Sequence, residues 1–213
     1  MKLAHTLSTI ALACSLIVSA PALADDLGKA IEYIEQENYT RALPILKRLA
    51  GKGDAEAQSM LGYMYSEGQG VKQNDELGVS WYRKAATQGE VNAQYQLGMM
   101  YYEGRGVKQD YAQAVSWYRK AAAQGDADAQ TGLGDMYHEG LGVRKSYSEA
   151  MAWYQKAYAQ GNAYAAYNIA VLYDNGDGVR QNKKEAKEWY GKACDLGYQA
   201  GCDESKNLAK QGY

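Results

Sequence analysis

Trp81, Trp117, Trp153 and Trp189 stand at a constant step of 36 residues, and most of what surrounds them recurs at the same step. Gly62, Gly98 and Gly134 share one column. Tyr65, Tyr101, Tyr137 and Tyr173 share another, and the pairs Gly70-Val71, Gly106-Val107, Gly142-Val143 and Gly178-Val179 a third. A unit of this size cannot bury its apolar face alone, so the copies must stack and build a continuous core between neighbours. The period therefore predicts one elongated domain rather than a globule with a single centre.

Each period reads as two helices. In 93–101, Ala93, Leu97, Met100 and Tyr101 fall at i, i+4, i+7 and i+8, the buried stripe of an amphipathic helix, which Gly104 and Gly106 then end. A second helix over about 111–124 presents Ala114, Trp117, Tyr118 and Ala121, with Gly125 placed to close its C-terminus. The column Asn38, Asn74, Asp110, Ser146, Asn182 changes identity but keeps side chains that accept a hydrogen bond at a helix start. Ser146 with Glu149, Asp110 with Gln113 and Asn182 with Glu185 have capping-box spacing. Gly62, Gly98 and Gly134 lie inside the first helices, at a cost of about 1 kcal/mol each against alanine. Missing Cβ atoms there predict close helix approach, with a large ring such as that of Trp117 filling the space.

The pattern A-x-A-Q-x-x-L-G-x-x-Y-x-x-G-x-G-V, followed by A-x-x-W-Y-x-K-A and a closing glycine, resembles the Sel-1-like repeat, a relative of the tetratricopeptide repeat. Residues 54–89, 90–125, 126–161 and 162–197 match it; 25–53 resembles a degenerate leading unit with Ile45 and Leu46 at the Trp-Tyr positions, and 198–213 a trailing cap. The resemblance implies an all-α fold, a right-handed α-solenoid of stacked antiparallel helix pairs whose first helices line a concave surface. It also implies a scaffold or adaptor role.

The start of the chain reads as an address. Lys2, the apolar run Leu7 to Val18 and Ala22-Leu23-Ala24 before Asp25 form a charged, apolar and small-x-small sequence, expected to be a cleaved secretory signal over 1–24. A lipoprotein reading would use Cys14, but Ala11 stands where leucine is wanted. Cleavage at Asp25 would leave 189 residues (213 less 24) and, without Lys2, 22 basic against 25 acidic side chains. That balance has no basic block, which argues against nucleic acid. The expected location is periplasmic or secreted, without an integral membrane segment after cleavage, and as a monomer.

Cys194 and Cys202 would be the cysteines left, at the end of one helix and the start of the next. Export to an oxidising compartment favours a disulfide over two buried thiols. The stretch 193–202 resembles the cysteine pairs of Helicobacter cysteine-rich Sel-1-like proteins, with one pair here where those carry one in most repeats.

Catalysis finds little support. His138 would be the sole histidine of the exported chain, in a column held elsewhere by Ser66, Tyr102 and Asp174, so it reads as a surface variant rather than a base. The G-x-G loops follow Glu67, Glu103 and Glu139, which repel phosphate. Neither a cofactor nor a metal site is indicated. The chain is read as no enzyme.

Partner binding is read from the positions that vary inside a fixed repeat: Ser59, Tyr63, Ser66; Tyr95, Met99, Tyr102; Thr131, Asp135, His138; and Tyr167, Val171, Asp174. Each trio has spacing i, i+4, i+7 off the buried stripe, and so predicts one exposed line per repeat on the concave face. With 20 tyrosines and no phenylalanine, the aromatic surface can face water or a protein partner. The leading expectation is an exported adaptor binding a protein or peptide there. The alternatives are an immunity protein against a secreted toxin and, third, an enzyme acting on penicillin or cell-wall material. Neutral drift on a solvated face would explain the same variation without any partner.

Overall fold

The structure, a computed structural model, describes residues 20–213, with side chains from Asp25 onward. The apolar run and Cys14 lie outside the described residues. Eleven helices and no strand occur among the described residues: α1 Ala20–Glu35, α2 Tyr39–Gly51, α3 Ala55–Glu67, α4 Asp75–Thr87, α5 Val91–Glu103, α6 Tyr111–Ala123, α7 Ala127–Glu139, α8 Tyr147–Tyr158, α9 Ala163–Asn175, α10 Lys183–Asp195 and α11 Gln199–Lys210. Each helix packs chiefly on its sequence neighbours. The result is a stack of antiparallel helix pairs, as the period predicts, and the α-solenoid that the resemblance implies. None of the described helices is long and apolar enough to cross a membrane.

Local chemistry sets the helix ends. Asp54, Glu90, Asp126 and Asn162 cap the first helices by accepting from the N–H three residues on. Asn74, Asp110, Ser146 and Asn182 do the same for the second helices. Asn38 departs from its column: its side chain makes no cap, and its Oδ1 accepts from Thr40 Oγ1 at 3.0 Å instead. The capping boxes are only half made. The N–H groups of Asp110, Ser146 and Asn182 donate to the carbonyls of Tyr101, Tyr137 and Tyr173, which leaves Gln113, Glu149 and Glu185 nothing to reciprocate. Gly104 ends α5 in the left-handed region, φ +71°, with its N–H on the carbonyl of Met100.

The space beside the helix glycines belongs to tyrosine, not tryptophan. A Cβ built on Gly62 or Gly98 would lie 2.6 Å from the ring of Tyr82 or Tyr118, and on Gly134 closer still to Tyr154. Each ring lies against bare backbone and is itself buried. The tryptophans stand one residue earlier and turn the other way. Lys84, Lys120, Lys156 and Lys192 set their Nζ atoms 3.6–3.9 Å from the four indole centroids, so each ring carries a cation on one face while it packs against the core, an outer seam of which Trp117 is the most buried member. Trp117 is 8% exposed and its indole N–H has no partner.

A second device joins consecutive repeats. Gln58, Gln94 and Gln130 are buried; each donates to the carbonyl of Ala50, Ala86 or Ala122 on the preceding helix. Each then accepts from Gln88, Gln124 or Gln160 at 2.8–2.9 Å. In the fourth copy both partners change together, to Ala166 and Leu196. Where the amide pair stops, a covalent tie begins: the sulfurs of Cys194 and Cys202 are at bonding distance, with Cα atoms 4.6 Å apart, and fasten α11 to α10.

Candidate interaction surface

The first helices α3, α5, α7 and α9 form one wall of the solenoid. They touch directly across repeats: Asn92 Nδ2 reaches Ser59 Oγ at 3.4 Å, and Asn162 and Asn168 donate to Asp128 and Asp135 at 2.9 Å. Together these four helices contain no lysine or arginine, while every second helix carries at least one. The wall therefore has one sign. Glu67 and Asp174 are neutralised by Arg105 and Lys183 reaching in from loop and second helix, but Glu103, Asp128 and Asp135 have no ion-pair partner among the described residues.

Part of the expected line of exposed residues is not exposed. Ser59, Ser66 and Thr131 are 3, 2 and 4% exposed. Ser59 begins its trio where the next first helix leans in. Ser59 Oγ meets Asn92, and Thr131 Oγ1 donates to the carbonyl of Ala127. Ser66 is buried under Gly78, whose Cβ would lie 3.1 Å from it. His138 is only partly exposed, with Nδ1 2.8 Å from Glu139, Nε2 3.4 Å from Asp177 and its ring edge-on to Tyr147. Tyr167 is half-buried among Tyr164, Tyr190 and Tyr198, at ring distances of 5.1–6.4 Å. Val171 packs partly against that end of the core. Tyr63 and Tyr102 are the trio members that stand out, at 43 and 40% exposed.

Tyr95, Met99, Tyr102 and Asp135 are brought together around a hollow. It encloses about 220 Å³, with Glu103, Tyr118, Asp128, Gly132 and Tyr164 also on its lining. An adjoining depression of about 400 Å³ shares Tyr102, Asp135 and Tyr164 and adds His138, Tyr154 and Asn168. The hollow exists because Gly132 occupies a column that holds Met60, Gln96 and Asn168 in the other copies. A Cβ there would touch Tyr118 at 3.2 Å. Comparing that column would have found the site. Tyr164 was legible in the same way, standing where Glu56, Asn92 and Asp128 stand.

The electrostatics follow from burial beside uncompensated carboxylates. Asp135 Oδ1 accepts from Tyr154 Oη at 2.8 Å and from Asn168 Nδ2, which leaves Oδ2 without a partner among the described residues. Burial pushes the Asp135 carboxyl up to about 6, against the opposing pull of the Tyr154 hydroxyl and His138. Tyr95 is pushed up to about 12, first by burial and then by Asp128, Asp126, Asp135 and Glu103. Tyr118 is raised as well, first by burial and then by Tyr95, Tyr102, Glu103 and Asp135. No group of three or more histidine, cysteine, aspartate or glutamate side chains is arranged to hold a metal among the described residues.

Stacked helix pairs with this hollowed wall define an α-solenoid repeat protein. Residues 55–90, 91–126, 127–162 and 163–198 match the Sel1 repeat, and the chain belongs to that family. No curated protein matches the chain. It is similar to a protective antigen of uropathogenic Escherichia coli displaying an SLR fold, at 36% identity and TM-score 0.83 over 89% of this chain and 42% of that one. It is likewise similar to a Sel1 repeat protein from Oxalobacter formigenes, 36% identical with TM-score 0.78 over 83% of this chain and 70% of that one. The chain thus spans less than half of the Escherichia coli protein. An immunity protein from Pseudomonas aeruginosa shares the fold, at 22% identity and TM-score 0.56 over 85% of this chain and 68% of that one.

Proposed function

We propose that the chain is an exported, monomeric scaffold that holds a protein or peptide against the wall of its first helices. The observation behind this reading is the one-signed, tyrosine-lined wall, hollowed where a single repeat gives up its side chain at Gly132. Packing alone asks for no such hollow, and rigid tyrosines give contact area at small ordering cost. The sequence at 2–24 and the Cys194–Cys202 bridge support a periplasmic or secreted location. Scaffolding without catalysis is the general habit of Sel1 repeat proteins. A toxin-neutralising role is a narrower form of the same reading, with the toxin as partner on the same wall.

The test is a photo-crosslinking residue at Tyr102 in one variant and at Ser116, exposed on α6, in another, each used on envelope extract and on secreted material. A protein crosslinked from Tyr102 and not from Ser116 is the expected result. Crosslinks from Ser116 alone would place the partner on the second helices and end this reading.

A further inference from the structure

The hollow beside Gly132 has the makings of a receptor for one kind of side chain. Its walls are tyrosine rings from α5 and α9, and its acids Glu103, Asp128 and Asp135 have no basic partner. At its floor is Tyr118, 5% exposed, with no hydrogen bond to its hydroxyl from any described residue. That is unlike Tyr154, the same residue one repeat on, whose hydroxyl is spent on Asp135. The ring is buried, but its oxygen is open to the hollow, so it stands free to accept from an occupant.

We propose that this hollow receives a lysine or arginine side chain projecting from the bound protein, its charged head set between the tyrosine faces and the free carboxylates, with Tyr118 Oη accepting one of its N–H bonds. Ring faces attract cations, most strongly when water is excluded. The carboxylates supply the countercharge that a desolvated cation needs. The rest of the wall favours the same occupant, because α3, α5, α7 and α9 offer a basic partner no lysine or arginine to repel it. Burial first, and nearby acids such as Glu103 and Asp135 second, raise the hydroxyls of Tyr95 and Tyr118. An acidic side chain is excluded by that field, and an apolar one would leave Tyr118 Oη and Asp135 Oδ2 dry.

This inference rests on the first-helix wall being the docking face, and it is tested apart from that reading. The probe is a hexalysine peptide titrated calorimetrically into the full chain, beside the same peptide with every lysine acetylated. Acetylation should weaken binding by about tenfold or more. Tyr118→Phe, which deletes only the hydroxyl, should weaken hexalysine binding about fivefold with unchanged melting. Gly132→Met, which places in the hollow the residue that the first repeat carries as Met60, should abolish it. Glu67→Gln, outside the hollow, should leave it nearly unchanged. Equal binding of the acetylated peptide, or equal losses from Glu67→Gln and Tyr118→Phe, would overturn the proposal in favour of diffuse attraction to an acidic surface. If a partner crosslinks from Tyr102 yet binds Tyr118→Phe and Gly132→Met as well as the parent, the docking face stands and the cation pocket does not.

Discussion

Within the same first helices, the seam that faces the second helices and the wall that faces the groove obey opposite rules. Along the seam the copies barely differ: Gly62, Gly98 and Gly134 meet Tyr82, Tyr118 and Tyr154, and Gln58, Gln94 and Gln130 meet the same carbonyls. Along the wall one column reads Glu56, Asn92, Asp128, Tyr164 and another Met60, Gln96, Gly132, Asn168. The difference is steric. Where a methyl group would lie 2.6 Å from a buried ring only the smallest residues fit, glycine in three copies and Ala170 in the fourth. Where the side chain points to the groove, size and charge are free, and selection for a partner can act without disturbing the stack. Seam changes should therefore register in stability and wall changes in binding.

The sharpest break of that rule is Tyr154→Ala, which should cost about 3–5 kcal/mol, the range for emptying a large aromatic site. It strips the ring from Gly134 and a hydrogen bond from Asp135. Trp153→Ala, in the half-buried outer seam under Lys156, should cost clearly less by urea unfolding. The reverse order would mean that the tryptophan, not the tyrosine, carries the joint. Next in size is the covalent end of the seam: reduction of Cys194–Cys202 removes about 2.5 kcal/mol in the loop-entropy model. Amide exchange should then quicken mainly in α11, since the bridge ties that helix alone.

Gln130→Ala follows, at about 1–2 kcal/mol, because it deletes a buried amide that links Ala122 to Gln160. Adding Gln160→Leu recreates the pairing that the fourth copy carries as Ala166 and Leu196. The double variant should recover part of the loss, and a thermodynamic cycle measures the coupling. If the two changes simply add, the amides are neighbours and not a joint.

The seam was legible in the sequence to the level of the fold and no further. Period, helix pairs, caps and the cysteine tie follow from residue type and spacing. The mistake over the helix glycines came from choosing the larger ring: Trp117 and Tyr118 are adjacent, and on a helix about 100° separates them, so only one can face Gly98. Spacing relative to a helix whose rotation is unknown does not say which. The wall was legible only in part for a similar reason. Ser59 and Thr131 lie off the stripe that meets the second helix, yet both are buried, Ser59 against Asn92 of the neighbouring first helix. A helix inside a solenoid has two buried sides, and periodicity within one repeat shows one.

Asp135 sits between the two regions and should behave as both. Its folded carboxyl titrates near 6 because burial outweighs Tyr154 and His138, with Glu139 adding to the rise. The folded chain thus holds this proton more tightly than the unfolded chain does. Its contribution to stability falls as pH rises from about 4 through 6 and is level above. Asp135→Asn keeps the acceptor for Tyr154 and Asn168 but has no charge to bury, so it should gain about 1 kcal/mol at pH 7 and nothing at pH 4. Urea midpoints of variant and parent are compared across that range. A gain that does not depend on pH would show that ionisation of Asp135 is not its origin.

The smallest expected effect on stability belongs to Tyr102→Ala, and its smallness is what the wall predicts. Tyr102 is 40% exposed and borders both depressions, and its column carries Ser66, His138 and Asp174 in the other copies, so the stack does not depend on it. Unfolding should move by no more than about 0.5 kcal/mol, the usual span for an exposed site. Its main intramolecular neighbour is the Tyr111 ring at 5.6 Å, half-exposed contact whose loss adds little. Partner affinity should fall by about 2 kcal/mol if the ring is an anchor of the interface. Tyr63→Ala, equally exposed but two repeats from Gly132, should leave both quantities nearly unchanged, which separates the hollow from tyrosine exposure in general. A Tyr102→Ala chain that melts early but binds its partner normally would move Tyr102 from the wall to the seam, and the division between them would have to be redrawn.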